Sequence, residues 1–463
     1  MNLQSIPRLL ISATGSGAGK TTTTIALIGA LRARGMRVAA FKCGPDYLDP
    51  TYHRRAAGAP SHNLDGWMMG RTAVLATFAR AAAGADIAVI EGVMGLFDGA
   101  APTSEEGSTA EIAKWLEAPV LLVVDASGMA RTVAAVAYGF SHFDPQLGLA
   151  GLVCNRVGSR GHLDLLRAAS AAVPVLGGFP SEAHAAFPER HLGLLSADDK
   201  NVAPPLFEAW AGLAAQWLDL DAIVAIARAA PALNGLDAAQ LWPRNGAAAA
   251  RCRIGVACDD AFHFYYEDNL RRLEAAGAEL VRFAPTRETR LPPVDGLYFG
   301  GGYPEALAAE LSGNRAMIGA VRSFAQSGGP IYAECGGLMY LSDGIRTLDG
   351  RVWPMAGIVA GEAVMSGRLQ ALGYVEVETR AESILGPAGM RMRGHQFRYS
   401  ALAPIPERME RVYAVHPRRG APFVEGYRSG SVLASYVHVH WASNPQAAEG
   451  FVNSCAAWRE NRR

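Results

Sequence analysis

The sequence predicts an α/β protein of two domains, each built around a largely parallel sheet. Short apolar runs that end in small or polar residues alternate with Ala- and Leu-rich stretches of helical length, the rhythm of parallel strands joined by crossover helices. A chain of 463 residues, half of them hydrophobic, is too long for one ordinary core. The alternation is interrupted once, around Ala229 to Arg251, where Pro, Asn, Gly and a run of alanines intervene. The expected division is therefore a first domain over 1–235, a linker over 236–251 and a second domain over 252–463.

In the first domain the expected strands are Arg8 to Ala13, Arg37 to Cys43, Asp86 to Glu91, Pro119 to Asp125, Leu149 to Asn155 and Pro174 to Phe179. The second begins a new series: Cys252 to Cys258, Glu279 to Ala284, Val294 to Phe299 and Pro330 to Glu334. Its last part, roughly Arg368 to His440, is richer in β-type residues and turns, which predicts a mixed sheet edge. Ligands of such sheets bind beyond the carboxyl ends of the strands, so the residues there carry the functional expectations.

Composition excludes several classes. Forty-three basic and 43 acidic side chains balance to zero, so no broad positive field is available for a nucleic-acid backbone. The first apolar segment, Leu9 to Ala13, is short and runs straight into a glycine-rich loop, unlike a signal peptide or a membrane span, so a cytoplasmic protein without a membrane partner is expected. The six cysteines, at 43, 154, 252, 258, 335 and 455, show neither CxxC pairing nor a disulfide framework and read as free thiols.

The strongest motif is Ala13-Thr-Gly-Ser-Gly-Ala-Gly-Lys-Thr21, between an apolar strand and a helix. That is a variant phosphate loop, with threonine at 14 where the usual pattern has glycine. Gly15, Gly17 and Gly19 let successive N–H groups turn toward phosphate oxygens, and the helix N-terminus, with Thr22 in its first turn, adds partial positive charge. Lys20 is expected at the β/γ-phosphates of ATP, and the Thr21 hydroxyl on Mg2+. A glycine-rich turn without a ligand is the competing reading; the flanking strand and helix weigh against it. Carboxylates for the metal and the acceptor come from two strand ends: Glu91 with the following Asp98, and the turn Gly44-Pro-Asp46-Tyr-Leu-Asp49-Pro. Each acid alone reads equally well as a turn cap, but their joint position beside the loop favours function for Asp46, Glu91 and Asp98, with Asp49 left open. Glu91 is expected to share the metal with Thr21. Two of the chain's four lysines, Lys20 and Lys42, fall here. Asn155, after a later strand, is a candidate for the adenine edge, although a loop Asn is often a turn former.

In the second domain Pro330-Ile-Tyr-Ala-Glu-Cys335-Gly-Gly-Leu-Met-Tyr has the layout of a nucleophile elbow with sulfur in place of oxygen. The turn exposes the Cys335 thiol and the following helix stabilises its thiolate. Upstream, Gly300-Gly301-Gly302 ends another strand, and Gly301 and Gly302 are expected to supply oxyanion N–H groups. The base is sought in Ser435-Tyr-Val-His438-Val-His440, where strand spacing puts both imidazoles on one face. Zinc ligation by His-x-His competes, but no third ligand of fitting spacing accompanies it. A buried structural Cys335 would not need its flanking glycines.

These strings, with Asn63-Leu-Asp-Gly-Trp-Met-Met69, Glu91-Gly-Val-Met-Gly-Leu-Phe-Asp98 and Phe299-Gly-Gly-Gly-Tyr-Pro-Glu305, give the chain its resemblance to the cobyrinic (hydrogenobyrinic) acid a,c-diamide synthases, in the family's order across both domains. The resemblance implies a dethiobiotin-synthetase-like ATP-binding domain and a flavodoxin-like class I glutamine amidotransferase domain. It also implies amidation of the a and c acetate side chains of a corrin ring, with ATP and glutamine consumed, in cobalamin biosynthesis. It carries Asp46, Glu91 and Asp98 onto the synthetase acids, Cys335 onto the glutaminase nucleophile and His438 onto the histidine that raises the cysteine's reactivity. Small molecules are then the partners (corrinoid acid, glutamine and ATP), and a homodimer is compatible with the resemblance. Two departures stand out. Triad amidotransferases usually carry Glu two residues after the histidine, where this chain has His440, so the third member is open. The family's Gly-His-Glu-Phe-His-Tyr-Ser segment appears as Gly394-His-Gln-Phe-Arg-Tyr-Ser400. Rival readings are another tetrapyrrole acceptor such as nickel-sirohydrochlorin, the later corrinoid of cobyric acid synthase, or a nucleotide switch with a non-catalytic second domain.

Overall fold

A computed structural model describes residues 6–181, 189–190, 193–194, 204–233 and 250–462. The chain divides into two compact units, Met1–Trp242 and Pro243–Arg463. Of the expected linker, residues 236–249 lie outside the described residues.

The N-terminal unit is built on β1 (Arg8–Ala13), β2 (Val38–Cys43), β3 (Ser61–Leu64), β4 (Ile87–Glu91), β5 (Val120–Asp125), β6 (Leu149–Val157) and β7 (Val175–Pro180). All pairings are parallel, in the order β3-β2-β4-β1-β5-β6-β7. The central strands are buried along their whole length, as continuous apolar runs covered by helices on both faces require. β3 was not among the expected strands, because Ser61-His-Asn-Leu64 carries no apolar run; all four residues are nevertheless buried.

The helices are α1 (Lys20–Ala33), α2 (Asp49–Ala57), α3 (Gly66–Ala81), α4 (Thr109–Trp115), α5 (Thr132–Phe143), α6 (Arg160–Ala169), α7 (Pro204–Trp217) and α8 (Leu220–Arg228). Their starts are set by local chemistry: Asp65 accepts the N–H of Met68, Ser108 that of Glu111 and Ser159 that of His162. α7 lies against α1, where the fully buried Trp210 joins Ile25, Ile28 and Leu31 in one core. The approach is close enough that a Cβ on Gly29 would stand 3.0 Å from that of Ala211.

The C-terminal unit opens with β8 (Cys252–Ala257), β9 (Ala278–Phe283), β10 (Gly296–Phe299) and β11 (Ile331–Glu334), paired in parallel in the order β9-β8-β10-β11. Side chains alternate between two cores: Leu297, Phe299, Ile331 and Ala333 face one, Tyr298 and Tyr332 the other. Beyond β11 the sheet continues through Val432–Ser435, Phe423–Ser429, Glu410–Pro417, Ala371–Thr379, Arg391–Arg398 and His438–His440. Only the first of these joins in parallel; the rest are antiparallel, the mixed edge that the β-rich sequence implied. Ser342–Arg346, Val352–Pro354, Val359–Met365 and Ser400–Ala403 form a separate small sheet. Among the described residues no helix is long and apolar enough to cross a membrane.

Candidate active site

The phosphate loop follows β1 and leads into α1. Gly17 and Gly19 hold φ of 77° and 98°, a region that disfavours a side chain. Gly15 is half-buried, and its carbonyl lies 3.5 Å from Nζ of Lys20. Burial and the charge of Lys42 lower the Lys20 pKa, while Glu91, Asp49 and Asp98 act to raise it. Thr22 is half-buried in the first turn of α1. Asn155 braces the loop: Nδ2 donates to the Ala18 carbonyl at 2.9 Å, and a Cβ on Gly19 would stand 2.0 Å from that nitrogen. The neighbouring Arg156 donates to the Gly17 carbonyl at 3.1 Å and pairs with Asp125.

The strand ends converge on Thr21. Its Oγ1 donates to Glu91 Oε1 at 2.6 Å and lies 3.3 Å from Asp49 Oδ2. Lys42, almost fully buried at the end of β2, sits between the same two acids, 2.5 Å from Asp49 and 2.9 Å from Glu91. His53 reaches the other oxygen of Glu91 at 2.6 Å. Glu91 is wholly buried. Burial alone would raise its pKa, but Lys42, His53 and Thr21 together hold it well below the usual carboxylate range. Burial, then the charges of Asp46 and Glu91, push Asp49 upward, while the Lys42 ammonium is held charged by the acids around it. A hydroxyl and two carboxylates form a hard-oxygen donor set of the kind magnesium takes. Among the described residues no three His, Cys, Asp or Glu side chains alone could hold a metal, so a cation here would depend on Thr21 and on phosphate oxygens.

The expected acids are therefore not equivalent. Glu91 is at the centre. Asp46 turns Oδ1 to the N–H groups of Leu48 and Asp49, at 2.8 and 3.1 Å, and its other oxygen is 3.9 Å from Lys42. Asp98 is exposed, its Oδ2 accepting the N–H of Gly95 at 2.8 Å. Asp49, left open by the sequence, is the acid that joins Thr21 and Glu91. His53 was missed, since nothing in Tyr52-His-Arg-Arg55 marks it except its place on the helix after the acidic turn.

In the C-terminal unit Cys335 stands between β11 and a short helix, with φ 49° and ψ −102°. A positive φ outside glycine is the strained backbone of an elbow, but against expectation the residue is buried, at 9% exposure. His438 is hydrogen-bonded to Cys335. Burial alone would lower the pKa of His438; Cys335 and Glu334 outweigh it and raise the value to about 9. His395 stacks on His438 with ring centroids 5.1 Å apart and planes 17° from parallel. Glu334, the last residue of β11, lies 3.8 Å from Nδ1 of His438.

One expectation is corrected here. Gly301 is not positioned as an oxyanion donor, because its N–H is spent on the carbonyl of Phe264 at 3.2 Å. What Gly301 supplies is room: a Cβ there would stand 2.5 Å from Cε1 of His438. Gly302 remains, and its nitrogen is 3.1 Å from where a Cβ on Gly336 would be, which sets it beside the residue that follows the nucleophile. Gly336, at the N-terminus of the short helix, was not singled out by the sequence reading, although the elbow motif points to the residue after the nucleophile. His440 does not act on His438: its Nδ1 accepts the N–H of Ala442, and burial lowers its pKa to about 4.

Comparison with known proteins agrees with both units. The family described as CobQ/CobB/MinD/ParA nucleotide binding domain matches residues 9–194, and the CobB/CobQ-like glutamine amidotransferase domain matches residues 253–446. Cobyrinate a,c-diamide synthase of Leptospira interrogans is 52% identical over 461 residues, covering 98% of this chain and 99% of the relative. The proteins of that name from Syntrophotalea carbinolica and Priestia megaterium are 48% and 41% identical; they cover 97% and 98% of this chain, and 99% and 98% of their own. The chain belongs to the cobyrinate a,c-diamide synthase family.

Proposed function

We propose that this chain amidates the a and c carboxylates of cobyrinic or hydrogenobyrinic acid, using ATP and glutamine, in cobalamin biosynthesis. The observation that carries the reading is the reach of the likeness, 52% identity over 98% of the chain, which takes in both the phosphate loop and the thiol elbow.

One reaction needs both sites. A carboxylate does not release oxide to ammonia, so its oxygen first attacks the γ-phosphorus of ATP, releasing ADP and forming an acyl phosphate. Ammonia then attacks the acyl carbon and phosphate leaves. Lys20 and the loop N–H groups would hold the phosphates; Thr21, Glu91 and Asp49 would hold magnesium, which when bound neutralises phosphate charge. Asp46 and Asp98 would orient the acceptor carboxylate, and Lys42 pairs with both Glu91 and Asp49 and fixes them in place. Asn155 contributes by bracing the loop from the end of β6. In the second unit the Cys335 sulfur attacks the glutamine carboxamide, with Gly302 and Gly336 N–H groups facing the oxyanion. His438 passes a proton to the departing ammonia, and water hydrolyses the thioester to glutamate. The reading places small-molecule chemistry in the cytoplasm, and the balanced net charge offers no broad positive field to a nucleic acid.

The test is product mass with purified enzyme, glutamine, ATP, magnesium and each corrinoid acid. One and then two carboxyl-to-carboxamide conversions are expected. Glutamine hydrolysis without corrinoid amidation would move the acceptor to another tetrapyrrole, such as nickel-sirohydrochlorin. Hydrolysis under no condition would leave a nucleotide switch with a non-catalytic second domain.

A further inference from the structure

One buried charge beside the glutaminase histidine has no part in the mechanism so far. Glu334 ends β11, directly before the nucleophile, and is 1% exposed. A carboxylate in such a place is retained only if it is paired and hydrogen-bonded. Its Oε1 accepts the Tyr332 hydroxyl at 2.7 Å and the Val439 N–H at 3.1 Å. Its Oε2 accepts the Tyr298 hydroxyl at 3.0 Å and faces Nδ1 of His438 at 3.8 Å. The three hydrogen-bond donors are neutral, and burial with the charge of Glu334 pushes both tyrosines well above their ordinary pKa. Among the described residues the ionisable groups around the pair include Cys335, Tyr265, Tyr298, Tyr332, Tyr413 and the stacked His395. Burial, then the charges of His438 and His440, hold His395 neutral. That leaves His438 as the cation available to Glu334. The position where triad enzymes carry an acid holds His440, which is turned to cap the next turn.

We propose that Glu334 is the third member of the glutaminase triad: a positioning residue that orients His438 through Nδ1 and favours its imidazolium beside Cys335, in place of the acid missing at position 440. The acid here precedes the nucleophile on its own strand rather than following the histidine. The proposal rests on the glutaminase reading of Cys335.

Glu334→Gln keeps the size and an acceptor for Tyr332 and Val439 while removing the charge. Iodoacetamide alkylation of Cys335 across pH reads the Cys–His pair without glutamine turnover. In the variant, alkylation at neutral pH should slow about tenfold, with its midpoint moved to higher pH, one pKa unit being one decade. Glutaminase kcat should fall about 10²-fold with KM for glutamine within roughly twofold, the mark of a group acting through the base. Glu334→Asp, which retains the charge, should restore the midpoint. A folded Glu334→Gln enzyme with a wild-type alkylation profile would overturn the assignment. Should that variant not fold, NMR of labelled histidine in the wild-type enzyme decides: His438 protonated at pH 8 supports the assignment, and a neutral ring overturns it. If wild-type Cys335 neither alkylates nor hydrolyses glutamine, the glutaminase reading itself fails and the role of Glu334 with it.

Discussion

Replacing Gly301 by alanine would put a methyl group 2.5 Å from Cε1 and 3.3 Å from Nε2 of His438, and 3.2 Å from Cβ of Phe264. Carbon atoms prefer about 3.5–4.0 Å, so the imidazole must retreat by roughly 1 Å, because Phe264 closes the other side. A misplacement of that size at a catalytic group is worth about 10²-fold in rate, or about 2.7 kcal/mol of transition-state stabilisation. The backbone at 301 does not need glycine, and alanine retains the N–H bonded to Phe264, so the effect is steric. The assay is glutamate release at saturating glutamine, with ammonia-driven amidation by the same preparation as an internal control. Gly313→Ala, where a Cβ meets nothing within 4 Å, controls for the substitution itself. Glutaminase within threefold of wild type in a folded Gly301→Ala enzyme would refute the placement of His438.

Lys42→Met leaves Asp49 and Glu91 buried without their cation, a loss of about 3–5 kcal/mol. The melting transition of the N-terminal unit should fall by about 10 °C in scanning calorimetry, with ATP-driven amidation lost and glutaminase retained. The raised His438 pKa gives a signed pH dependence: the imidazolium's contribution is complete below the unfolded value of about 6.5 and is lost as pH rises through about 9. The urea midpoint of wild type should therefore exceed that of His438→Gln by more at pH 6 than at pH 9.5; an equal gap would contradict the ion pair. Asn155→Ala removes the bond to Ala18, and one hydrogen bond of about 1 kcal/mol predicts a roughly fivefold rise in KM for ATP with glutamine hydrolysis unchanged.

The sheets were legible because buried parallel strands are long apolar runs, and the phosphate loop and thiol elbow because each motif imposes its own backbone. β3 was not legible: Ser61, His62 and Asn63 are polar and buried, and Asn63 is there to hold the carbonyls of Gly44 and Asp46 at 2.9 and 2.7 Å. Choosing between Asp46 and Asp49 needed the start of α2, which points one acid at Thr21 and spends the other on the turn. A run of glycines shows that space is needed, but not whether an N–H or an absent Cβ is the contribution, so Gly301 was misassigned. The His438-x-His440 spacing did put both rings in one buried neighbourhood, but a shared face does not set which ring meets the thiol.

The central claim is that one unit activates the carboxylate and the other supplies ammonia through Cys335. Its most direct test is corrinoid amidation by Cys335→Ala, compared with glutamine and with ammonium as the nitrogen source. The account expects no product from glutamine and near wild-type product from ammonium, with ATP consumed in proportion. Product from glutamine, or loss of both activities in a folded variant, would contradict it.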